Sequence, residues 1–340
     1  MKAFQIIKAH QSEIITIPEP SCAEGEVLVR IRRVGLCGSD LSTFLGKNAL
    51  ARYPRIPGHE IAGIVERCGS SVPESIQPGM GVTVLPYTSC GSCSACLRGR
   101  QNACRNNQTL GVQRDGALTE AITVPWQKIV RAEHLSPDDM VFVEPLSVGF
   151  HAIQRGAVAD GDTVLVIGCG MIGLGAIASA HLRGARVIAA DIDPQKLEIS
   201  SAFGARHTIN SRSSSLHETL RDLTKEGPDV VVEAVGNPAT YRTAIEEVAF
   251  AGRVVCIGYA SSDASLPTRT FVQKELDVVG SRNATALDFA SVVSALEDRV
   301  IPTHKAVSLL VPLNQAVETF VRWADTPERY TKILISVSDP

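Results

Sequence analysis

The 340-residue chain has no long block of like charge. Its 33 Lys and Arg stand against 36 Asp and Glu, a formal net charge of -3, so nothing favours nucleic acid or a membrane surface as partner. Internal repeats and low-complexity tracts are also missing, and the polar run Ser211 to Ser215 reads as a short loop between elements. Met1 to Ile7 alternates like a strand and lacks the charged segment and long apolar run of a signal peptide, so none is expected. The most apolar stretch, Thr163 to Leu182, carries four glycines before residue 176 and a histidine at 181. A buried strand, turn and helix explain it better than a membrane span. These absences predict a cytoplasmic protein. The apolar share of 44% and charged share of 20% are ordinary for a globular chain, and the length exceeds one ordinary core, which predicts two domains.

Cysteine is abundant and unevenly placed: four of the nine fall between residues 90 and 104. A reducing cytosol argues against a disulfide framework, so the clustering points to metal. Cys90-x2-Cys93-x2-Cys96-x7-Cys104 supplies four thiolates, enough to close a tetrahedral shell around zinc with no open position. That predicts a structural zinc. An iron–sulfur run would end C-x3-C-P, whereas here the last spacing is seven and Arg105 follows Cys104.

Up to about residue 150, short apolar runs are broken by Gly and Pro, as in Val27-Leu28-Val29-Arg30-Ile31, Ile61-Ala62-Gly63-Ile64-Val65 and Gly81-Val82-Thr83-Val84-Leu85. Turns such as Pro57-Gly58 and Pro78-Gly79 fit a β-rich unit. The pattern changes near Gly161. Buried strands are expected at Thr163 to Gly168, Ala185 to Asp191, Asp229 to Ala234, Arg253 to Ile257 and Leu276 to Val279, with helices between them, for instance Ala239 to Ala251. Such alternation implies an α/β unit with a parallel sheet covered on both faces. From about Asn283 the chain reads as helix, short strand, helix and a last strand, Lys332-Ile333-Leu334-Ile335.

Gly168-Cys169-Gly170-Met171-Ile172-Gly173 matches G-x-G-x-x-G after a buried strand and before a helix, and Asp191 follows Gly168 by 23 positions at the end of the next strand. Gly168 permits the tight turn, Gly170 lets backbone approach a pyrophosphate, and Gly173 lets helix and strand pack closely. The amides that open the helix suit phosphate. Asp191 would bind the adenosine ribose hydroxyls and repel a 2′-phosphate, and Ile192-Asp193-Pro194 offers no arginine, so NAD is expected over NADP.

Three further segments hold candidate metal ligands: Gly35-Leu36-Cys37-Gly38-Ser39-Asp40, Gly58-His59-Glu60 and Val143-Glu144-Pro145-Leu146. Each alone has a plainer reading, as a core cysteine, a hydrogen-bonded structural histidine, or a carboxylate at a helix start. Together with the glycine loop and the cysteine lobe they resemble the zinc-containing medium-chain dehydrogenase/reductase family, over essentially the whole chain and with four motifs in the family's order. The Glu144-Pro145 segment resembles the sorbitol and sugar-acid branch, since simple alcohol dehydrogenases typically carry cysteine there. Gly280-Ser281-Arg282-Asn283-Ala284-Thr285 and Tyr53-Pro54-Arg55-Ile56-Pro57-Gly58-His59-Glu60 resemble the bacterial L-galactonate and L-gulonate 5-dehydrogenases.

The resemblance implies a GroES-like β-rich catalytic domain from residues 1–150 and 283–340, with the structural-zinc lobe near 88–106. A Rossmann doubly wound sheet of residues 151–282 interrupts it, and the active site is expected in the cleft between them. Cys37, His59 and Glu144 would ligate a catalytic zinc with one position open, Glu60 would be a direct, alternative or water-mediated ligand, and Asp40 would orient His59. That makes two zincs per chain, plus NAD. Zinc would act as Lewis acid on a secondary hydroxyl of a polyol or sugar acid such as L-galactonate or L-gulonate. Hydride would pass to the nicotinamide, and Ser39 would begin the proton relay. Many relatives place histidine where Ser42 stands, so water or another group would complete that relay. Arg282 is the candidate substrate-binding residue, able to pair with a carboxylate or hold hydroxyls. A homodimer or homotetramer is implied.

Rival readings differ at named features. A zinc-free NADPH reductase of the same fold should lack the Cys37, His59, Glu144 set, the lobe and Asp191. An NAD-binding redox sensor would hold only the structural zinc. A sorbitol- or threonine-type enzyme, or a short-alkanol dehydrogenase, would keep both zincs and differ in substrate.

Overall fold

In the computed structural model, which describes residues 1–338, the apolar runs form two large sheets built on different rules. Chain contacts divide accordingly: Met1–Glu144 joins the residues from Thr285 onward, and Pro145–Ala284 forms the other unit.

The first unit is centred on the eleven-residue strand Glu26–Leu36, in which Val27, Leu28, Val29, Ile31, Val34 and Leu36 are buried. It pairs antiparallel with Glu60–Cys68, with Ala121–Pro125 and, at its far end, with Lys332–Ser336. Val307–Pro312, Gly81–Val84 and Ile129–Arg131 complete this seven-stranded sheet. The register sets Gly35 opposite Glu60 and Leu36 opposite Ile333. The two ends of the chain meet again in the core. Phe4 stacks on Phe320 at 4.6 Å between ring centroids, and Phe44 lies 5.6 Å from the same ring. All three side chains are buried, each contributing about 1.5–3 kcal/mol of apolar transfer.

The second unit is a six-stranded, wholly parallel sheet in the order His207–Asn210, Arg186–Asp191, Thr163–Ile167, Val230–Glu233, Arg253–Cys256, Asp277–Gly280. This is the doubly wound order, and it reverses between Thr163–Ile167 and Val230–Glu233. The strands next to that point are buried throughout, as their unbroken apolar runs require. Asp277–Gly280 differs from expectation: it is an edge strand and mostly exposed. The helix expected from Ala239 to Ala251 runs instead from Pro238 to Glu247. Asn237 caps it, Pro238 occupies its first turn, and Val248 leaves it in extended geometry. No helix among the described residues is long and apolar enough to cross a membrane.

Candidate active site

The helix Gly38–Phe44 starts directly after Cys37. Its third residue, Asp40, is fully buried and accepts the Cys37 amide at 2.9 Å and the Gly58 amide at 3.4 Å. One carboxylate thus ties the loop that carries Cys37 to the turn that carries His59. Asp40 lies 4.0 Å from His59 Nδ1, beyond hydrogen-bond reach, so its contacts here are to backbone. Burial raises its pKa, and His59 opposes that rise. Gly58 adopts φ +101, and a Cβ there would lie 2.9 Å from Val34 Cγ1. The tight turn therefore needs glycine.

His59 and Glu60 open the next strand, both buried. Glu60 lies over Gly35, where a Cβ would come within 2.1 Å of its Oε2. Its carboxylate is gripped by Lys332 Nζ at 2.7 and 2.6 Å, and the same ammonium donates to the Leu36 carbonyl at 3.1 Å. Lys332 and Glu60 are 2% and 1% exposed, so this is a desolvated ion pair. Glu144, in the first turn of the helix Val143–Arg155, is buried and accepts a hydrogen bond from the Tyr87 hydroxyl. Burial raises the pKa of Glu144, against the pull of His59.

Among the described residues, donor atoms of Cys37, His59 and Glu60 lie within 4.8 Å of one another. Glu144 is outside that group, although its charge reaches His59. Burial disfavours charge on His59, yet Cys37, Asp40 and Glu144 outweigh it and hold the pKa well above the usual value. Two buried polar atoms here have no partner among the described residues, His59 Nδ1 and Ser39 Oγ. A sulfur, a nitrogen and a carboxylate, with an unpartnered ring nitrogen among them, suit zinc with a place left open.

The four lobe cysteines are free thiols drawn together. Their sulfurs stand 3.5 Å apart for Cys93 and Cys96, 3.6 Å for Cys90 and Cys104, and 3.9 Å for Cys93 and Cys104. A zinc–sulfur bond of about 2.3 Å in a tetrahedron gives sulfurs about 3.8 Å apart, so the lobe has the dimensions of a closed four-thiolate site.

In the parallel unit, Gly168 has φ +95 and Gly170 caps the helix Met171–Leu182. Met171 and Ile172 form that helix's first turn, both half-buried. A Cβ on Gly173 would meet the Gly168 carbonyl at 1.9 Å, whereas one on Gly170 would meet nothing within 4 Å. The open side of Gly170 is where a ligand can approach. Asp191 accepts the Cys169 amide at 2.7 Å and the Ile192 and Asp193 amides at 2.7 and 3.0 Å, which anchors it beside the glycine loop. Arg282 is half-buried and follows the strand Asp277–Gly280 in the same unit.

Residues 23–136 match the alcohol dehydrogenase GroES-like domain, and residues 172–298 match the zinc-binding dehydrogenase domain. L-galactonate-5-dehydrogenase of Escherichia coli K12 is 32% identical over 307 residues, 90% of this chain and 89% of that protein. The chain belongs to the zinc-type alcohol dehydrogenase family. Sorbitol dehydrogenase of Bacillus subtilis is 31% identical, covering 98% of this chain and 97% of its own. An alcohol dehydrogenase (rspB) of E. coli CFT073, solved with NADH, superposes with a TM-score of 0.92 at 28% identity, over 99% of each chain. The family is one of oxidoreductases, and this chain carries its GroES-like and Rossmann-type parts.

Two residues at the candidate site escaped sequence reasoning. Lys332 begins an apolar strand, where a lysine reads as a solvent-facing charge, and Tyr87 precedes the cysteine lobe with no local sign of its link to Glu144. Only the register between distant segments reveals either.

Proposed function

We propose that this chain oxidises a secondary hydroxyl of a polyol or sugar acid to the ketone, with NAD as acceptor. The observation that carries the reading is the convergence of Cys37, His59 and a buried carboxylate, with Ser39, two residues after Cys37, holding a buried hydroxyl without a partner among the described residues. Cys37, His59 and one of Glu144 and Glu60 would hold the catalytic zinc, and Cys90, Cys93, Cys96 and Cys104 a structural one. When bound, the catalytic zinc and NAD supply Lewis acidity toward the alcohol and a hydride acceptor.

The protein's own groups do the rest. Asp40 keeps the Cys37 and His59 segments at fixed separation through their amides. Lys332 balances the Glu60 charge, and Tyr87 holds Glu144 by one oxygen. Ser39 Oγ, with no partner among the described residues, would take the substrate proton. Ser42 has no basic side chain, so water or another group would receive that proton next. Gly168, Gly170, Met171, Ile172 and Gly173 form the pyrophosphate turn, and Asp191 favours a free ribose 2′-hydroxyl. Arg282, with five donors, is the candidate for a substrate carboxylate or hydroxyls. The glutamate at 144 and the likeness to galactonate and sorbitol dehydrogenases support a polyol or sugar acid over a short alkanol. The reading includes a cytoplasmic homodimer or homotetramer without nucleic-acid or membrane partners.

The test is a panel of pentitols, hexitols and aldonates with NAD or NADP, followed by reduced-cofactor absorbance. Turnover of at least one such compound with NAD preferred is expected. No turnover by zinc-replete protein would overturn the substrate class, and equal use of NADP would overturn the role given to Asp191.

A further inference from the structure

Glu233 ends the strand Val230–Glu233, at the point where the strand order of the parallel sheet reverses. It is fully buried. Its Oε1 accepts the amides of Val235 and Gly236 at 3.0 and 2.9 Å and lies 2.7 Å from the Thr240 hydroxyl. Its main-chain carbonyl accepts the amides of Ile257 and Gly258 at 2.9 and 3.1 Å. One residue therefore ties together the loops that follow two adjacent strands.

Those loops leave no slack. A Cβ on Gly258 would lie 2.1 Å from the Gly236 nitrogen and 2.7 Å from Glu233 Oε2. Gly236 itself has φ +78, and the Tyr241 hydroxyl donates to the Gly258 carbonyl. On the other side the Ala234 amide bonds the Ile167 carbonyl at 2.9 Å, and a Cβ on Gly168 would strike Val235 Cγ2 at 2.7 Å. Val235 thus lies directly against the glycine turn, yet half its surface is open. Meanwhile Glu233 Oε2 is buried without a partner among the described residues, a cost a residue serving only to fill space would avoid.

We propose that Glu233 is a positioning residue for the dinucleotide: it fixes the Ala234–Asn237 loop so that Val235 forms the wall facing the glycine turn, against which the cofactor packs. The proposal rests on the dinucleotide reading of the Gly168 turn. An oxygen that accepts two backbone amides and lies at the Thr240 hydroxyl holds the loop in direction, so losing it frees the loop.

The test measures NADH binding by fluorescence, zinc content, and KM for NAD against kcat in wild type, Glu233→Gln, Glu233→Ala and Thr240→Val. Glu233→Ala should weaken NADH about tenfold or more and raise KM for NAD, with zinc content and kcat near wild type. Glu233→Gln keeps an acceptor oxygen and should bind within about twofold of wild type. Thr240→Val, at a half-buried position, removes one hydroxyl partner of Oε1 and should weaken NADH by a smaller factor, and it keeps the question open to experiment if Glu233→Ala does not fold. Wild-type affinity in folded Glu233→Ala, or in Thr240→Val when Glu233→Ala does not fold, would overturn the proposal. So would equal loss in Glu233→Ala and Glu233→Gln. Failure of wild type itself to bind NADH would instead overturn the dinucleotide reading.

Discussion

Lys332 is a lysine at the head of Lys332-Ile333-Leu334-Ile335, and its side chain is 2% exposed. Its partner Glu60 lies 272 residues earlier, next to His59, and the strand Glu26–Leu36 between them brings the two together. Removing one side of such a pair leaves the other buried and uncompensated, at a cost of about 3–5 kcal/mol. Lys332→Met should therefore lower the denaturant midpoint clearly, and Lys332→Arg should recover part of the loss. An unchanged midpoint in Lys332→Met would mean that Glu60 finds another partner. At this scale, residues whose chemistry is local were legible in the sequence: the four lobe cysteines lie within fifteen positions, and the glycines of the turn mark themselves by spacing. Pairs such as Lys332 with Glu60 and Tyr87 with Glu144 depend on register between remote segments, which no local pattern encodes.

Elements buried on both faces announced themselves as unbroken apolar runs, which is why Thr163–Ile167 and Val230–Glu233 stand where expected. The edge strand His207–Asn210 was not legible: it is four residues long with one buried side chain, and its polar sequence resembles a loop. The helix Met171–Leu182 shows how closely elements can approach when the sequence permits. Gly173 brings it against the Gly168 carbonyl, where alanine would place a carbon at 1.9 Å. Gly173→Ala should cost about 1–3 kcal/mol through overpacking and move the turn enough to abolish NADH binding, while zinc stays bound in the cysteine lobe. Calorimetry and NADH fluorescence check this. Wild-type affinity would show that the turn tolerates the shift.

Across the whole molecule, the first and last segments of the chain build one unit around Phe4, Phe44 and Phe320, and the middle of the chain builds the parallel sheet. The composition of each segment made the β-rich and alternating character readable, but not the insertion of Lys332–Ser336 beside Glu26–Leu36. The proposed reaction needs both units: a donor set of Cys37, His59 and a carboxylate in one, and a dinucleotide turn with Asp191 in the other. It separates from a purely structural use of metal by one comparison. Zinc content and NAD-dependent oxidation of the best panel substrate are measured together in wild type, Cys37→Ser and His59→Ala. Wild type should hold two zincs per chain, and each variant should lose about one zinc and its turnover while NADH still binds. Turnover retained in either variant, or a single zinc in active wild type, would contradict it.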